Sequence, residues 1–100
     1  MTLAELKRSV SKAKPPAGLS PALAALWWDA KDDWHRAHTL VMDEGGKEAA
    51  WVHAYLHRRE GDLDNARYWY RQAGQTPATG RLPAEWDKIA TTLLAATRSQ

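Results

Sequence analysis

The chain predicts an all-α domain of about six short helices, and three observations carry that expectation. Helix-capping residues and Gly or Pro breaks recur along its 100 residues, and apolar residues between the breaks fall at i, i+3, i+4 spacing. No segment alternates with period two or concentrates β-branched residues as a strand would. Short connections make neighbouring helices antiparallel. The expected layout is a basic amphipathic N-terminal helix in 1–14 and a single helical-repeat-like domain over 19–100. That domain holds hairpins at 21–42 and 47–74 and a C-terminal helix at 83–98.

Thr2-Leu3-Ala4-Glu5 reads as a capping box, and Leu3, Leu6 and Val10 follow it at helical spacing before Pro15-Pro16-Ala17-Gly18 stops the helix. Ser20-Pro21 is an N-cap with proline at the first helical position, which opens a second helix through Leu23, Leu26 and Trp27. Asp32-Asp33 breaks that helix and caps a third, whose stripe is Trp34, Ala37 and Val41. Gly45-Gly46 precedes a fourth helix, about Lys47 to Glu60, which Gly61 ends in a left-handed C-cap. Asp62 caps a fifth, with Leu63, Ala66, Tyr70 and Ala73 on one face and Gly74 beyond its end. The last helix starts near Pro83 or Ala84 and carries Trp86, Ile89, Ala90, Leu93 and Leu94.

The absence of cysteine excludes disulfides, thiolate metal sites and a cysteine nucleophile, and makes a reducing cytoplasm the expected location. A net charge of +2 gives no support to nucleic-acid binding, and what basic excess exists is gathered in Lys7, Arg8, Lys12 and Lys14. No apolar run approaches the roughly 20 residues of a membrane span. Six Trp, three Tyr and no Phe supply large apolar bodies with polar tips, suited equally to a core or to a binding surface. No nucleophile elbow, Gly-rich phosphate loop or carboxylate pair points to a reaction, so catalytic residues and a cofactor are not expected.

Sliding the chain on itself by 29 positions sets Ala25 on Ala54, Asp33 on Asp62 and Ala37 on Ala66, with the helix break at the same place. Two copies of one helical hairpin are the expected body of the fold. Gly61-Asp62-Leu63-Asp64-Asn65-Ala66-Arg67-Tyr68-Trp69-Tyr70-Arg71-Gln72-Ala73 resembles the second half of a tetratricopeptide or Sel1-like unit. The first half departs from that family, with His53, Ala54 and His57 standing where it would place Leu, Gly and Tyr. The HAYLHR-EGD-NA-YWY pattern is also similar to a family of small uncharacterised microbial proteins. The repeat resemblance implies protein or peptide binding, by fold analogy alone.

That implication gives the leading expectation. A non-catalytic interaction module presents Arg58, Arg67, Arg71 and Tyr68 of the second hairpin to a protein or peptide, or to a second copy of itself. The competing expectation is a small-molecule site in which His53 and His57, one turn apart on the fourth helix, line a pocket with Asn65, Tyr68 and Trp69. In a third reading the two histidines simply hydrogen-bond backbone or the Asp62 and Asn65 oxygens across the turn. Two imidazoles do not make a metal site, since zinc needs at least a third ligand, and no metal is expected. His35 and His38 are expected at the surface.

Overall fold

Side chains satisfy the backbone where most of these helices begin. Thr2 and Glu5 form the reciprocal capping box, Ser20 accepts from the Leu23 N–H, Asp33 from Arg36 and Asp62 from Asn65. The computed structural model describes residues 1–98 and, among them, six α-helices and no strand. These are α1 (Leu3–Ser9), α2 (Pro21–Ala30), α3 (Trp34–Val41), α4 (Lys47–Glu60), α5 (Leu63–Ala73) and α6 (Leu82–Arg98).

α1 is shorter than its apolar spacing suggests. The hydroxyls of Ser9 and Ser11 donate to the Leu6 and Arg8 carbonyls, competing with helix continuation well before Pro15. Leu6 is fully buried, and Ser9 Oγ accepts the Trp27 indole N–H at 2.9 Å, which ties α1 to α2.

The two hairpins turn alike. Asp33 N–H donates to the Trp28 carbonyl and Asp62 N–H to the His57 carbonyl, each at 2.9 Å. The next bond inward is likewise shared, Asp32 N–H to Asp29 and Gly61 N–H to Arg58. Gly61 has φ 92°, and Asp32, 29 positions earlier, takes φ 65°. Aspartate is among the few side chains that tolerate that left-handed region.

α2 packs on α3 and α4 on α5, while α4 also touches α2, α3 and α6. α4 is therefore the central helix. Its residues Ala49 to His57 are all buried, with no solvent-facing side over that run. On α5 the buried residues are Ala66, Tyr70 and Ala73, whereas Leu63, in the first turn beyond the end of α4, is 54% exposed. On α6, Trp86, Ile89, Ala90, Leu93 and Leu94 enter the core.

Two charged clamps hold this arrangement. Buried Asp29 at the end of α2 accepts from Arg59 of α4, which also reaches Asp32 at 2.7 Å. Buried Glu85 of α6 accepts from Arg58 at 2.8 Å and from the Tyr70 hydroxyl. Burial and the Glu85 carboxylate push the Tyr70 phenol above its ordinary range, so it stays a donor. No helix among the described residues is long and apolar enough to cross a membrane.

Candidate functional site

Three helices bring histidine and tryptophan together. α3 carries Trp34 and His38 one turn apart, α4 carries His53 and His57 one turn apart, and α5 contributes Trp69. The Trp34 N–H donates to the Leu56 carbonyl at 2.8 Å, which fixes its ring over the α3–α4 seam. His38 stacks on Trp34 at 4.8 Å and 10° between planes, and His53 stacks on Trp69 at 4.0 Å and 21°. Between these two stacks the three imidazoles converge, their centroids 4.7 to 5.2 Å apart.

The polar contacts in the cluster are few. His38 Nε2 and His53 Nε2 lie 3.1 Å apart and share one hydrogen bond. His57 Nδ1 lies 2.6 Å from Glu60 Oε1. An ionised carboxylate only accepts, so this contact puts the His57 proton on Nδ1 and leaves Nε2 its lone pair when the ring is neutral. His53 is 3% exposed, and its Nδ1 is buried with no hydrogen-bond partner. Burial, reinforced by the His57 and His38 charges, depresses His53 from its ordinary 6.5 to about 4. Burial also lowers His38, with His57 next in effect. Both rings are neutral near pH 7.

The structure brings His53, His57 and Trp69 of the expected pocket together, and adds His38 and Trp34. His38 is thus not the surface residue its spacing suggested: it is half-buried and hydrogen-bonded to His53. The signal for it was present in the Trp34-x-x-x-His38 spacing, which presents an aromatic and an imidazole on one face of α3. Its partner on α4 depends on how the two helices pack, which spacing does not specify. Nor do the histidines bond across the turn to Asp62 or Asn65. Asn65 stands in the first turn of α5, its backbone and side-chain N–H groups both donating to Asp62. Tyr68 is 46% exposed and meets Trp69 edge-on at 5.1 Å.

Of the arginines, Arg67 pairs with Asp64 at the surface and Arg71 is exposed. Arg58 is drawn inward instead, bonded to Glu85 and to the Gly80 carbonyl, because α6 supplies a buried carboxylate against α4. A cavity of about 640 Å³ lies between α1, α2, α4 and α6, with Asp29, Tyr55, Arg59 and Trp86 in its wall. None of the histidines lines it. No family model, curated protein or solved structure matches this chain.

Proposed function

We propose that the protein is a small, non-catalytic ligand-binding protein whose site is the histidine cluster of His38, His53 and His57 between Trp34 and Trp69. The observation that carries this reading is the unpartnered, buried Nδ1 of His53. A buried polar nitrogen without a hydrogen bond costs about 1–3 kcal/mol. A helix that needed only to pack would place a carbon there. Residues that lower stability in a fold that is otherwise locally consistent are the ones expected at functional sites.

The interaction-module reading rests mainly on exposed Tyr68. Arg58 is occupied by Glu85, and Arg67 has Asp64. The two readings differ in what they require of His53. Replacing it by leucine, of similar volume, tests the ligand-site reading without knowledge of the ligand. His53→Leu removes the orphan nitrogen at the expense of one shared hydrogen bond to half-buried His38, which water can replace. The expected result is a gain of about 1 kcal/mol, seen as a melting temperature higher by about 4–8 °C. A clear loss of stability would make His53 a structural residue and leave the interaction surface as the better account.

A further inference from the structure

Resting on that reading, we infer that the ligand is a single divalent first-row transition ion, zinc or a close neighbour in the series, held by one imidazole nitrogen from each of His38, His53 and His57. The geometry comes first. One ring nitrogen of each histidine can be chosen so that all three lie within 4.8 Å of one another. The His38 and His53 Nε2 atoms are 3.1 Å apart. Two nitrogens on the edge of a tetrahedron with zinc–nitrogen distances of 2.0–2.1 Å stand roughly 3.3 Å apart. Exchanging the shared hydrogen bond for an ion therefore requires a few tenths of an ångström along that edge, within the reach of side-chain adjustment.

The surroundings are those of a ligand set rather than of a packed core. Glu60 Oε1 accepts from the His57 Nδ1 N–H, 2.6 Å from nitrogen to oxygen, which orients the ring and leaves Nε2 to donate its lone pair. Trp34 and Trp69 fix the planes of His38 and His53 by stacking on them.

Donor chemistry selects the ion. Three imidazoles with neither thiolate nor carboxylate among them suit zinc, copper, nickel and cobalt, and disfavour calcium and magnesium, which take oxygen ligands. Three protein ligands leave a coordination position for water or a small anion, as in open rather than closed zinc sites.

The test uses the untagged full chain, stripped with chelator and titrated with Zn²⁺ and, in parallel, Co²⁺. Expected are one ion per chain, a higher melting temperature and the visible absorption of low-symmetry four-coordinate Co²⁺. His38→Gln, His53→Gln and His57→Gln should each weaken binding at least about 100-fold, and Glu60→Gln about 10- to 100-fold. His35→Gln, an exposed histidine on the same helix as His38, should leave it unchanged. Circular dichroism of each variant separates lost binding from lost folding, and retained binding in folded His53→Gln would overturn the assignment. Failure of the wild-type chain to take up either ion would also overturn it. If His53→Leu is nonetheless more stable, only the identity of the ligand falls; if His53→Leu is less stable, the site itself falls.

Discussion

Arg58 separates a residue that belongs to the architecture from one offered to a partner, and its removal has a calculable effect. Its guanidinium lies 2.8 Å from Glu85, and the side chains are only 15% and 4% exposed. Arg58→Ala would leave the Glu85 carboxylate buried with the Tyr70 hydroxyl as its remaining donor, and would free the Gly80 carbonyl. Breaking a buried pair by removing one partner costs about 3–5 kcal/mol. The lower end applies, because water can reach the partly open guanidinium side, so the expected loss is about 3 kcal/mol. At about 4–8 °C per kcal/mol for a domain of this size, the melting temperature should fall by roughly 15 °C. Urea and thermal unfolding at pH 7 measure this directly. A double-mutant cycle with Glu85→Ala should return a coupling of about 2 kcal/mol. A loss below about 1 kcal/mol, typical of an exposed arginine, would refute the clamp and return Arg58 to the partner surface.

Two further outcomes follow from local geometry and charge. Gly61→Ala meets no steric neighbour but forces a side chain into φ 92°, so urea unfolding should show a loss of about 1–2 kcal/mol, and an unchanged midpoint would contradict the backbone assignment. His53 binds its proton at about 4 in the fold and near 6.5 when unfolded, so the unfolded chain binds more protons between those values. Stability should fall as pH drops from 6.5 to 4, by about 3 kcal/mol from this group, with no contribution from it above 6.5. His53→Leu should flatten that slope, and an identical slope in both proteins would count against the burial of the ring.

The features legible in the sequence were those decided locally. Ser20-Pro21, Asp33, Asp62, Gly61 and Gly74 mark helix ends through bonds to residues a few positions away, and the structure uses them that way. The equivalent hydrogen bonds of the two turns, 29 positions apart, are likewise local to each turn. His53 and His57 were noticed because i, i+4 spacing puts two imidazoles together on any helix. His38 joins them only across the α3–α4 packing, which spacing does not specify, and the Arg58–Glu85 pair is not legible because Glu85 lies 27 residues later on α6. The burial of α4 on every side is likewise a property of the four helices packed around it, α2, α3, α5 and α6. Its own polar residues, His53 and His57, conceal that burial from any reading of hydropathy.

The state of the His53 ring tests the account most directly. Long-range ¹H–¹⁵N NMR of the histidine side chains in the metal-free chain follows each ring nitrogen through a pH titration. A neutral His53 that resists protonation down to about pH 4 is the expected result. His53 titrating near its ordinary 6.5 would mean that water reaches the ring, and the cluster would then be ordinary surface.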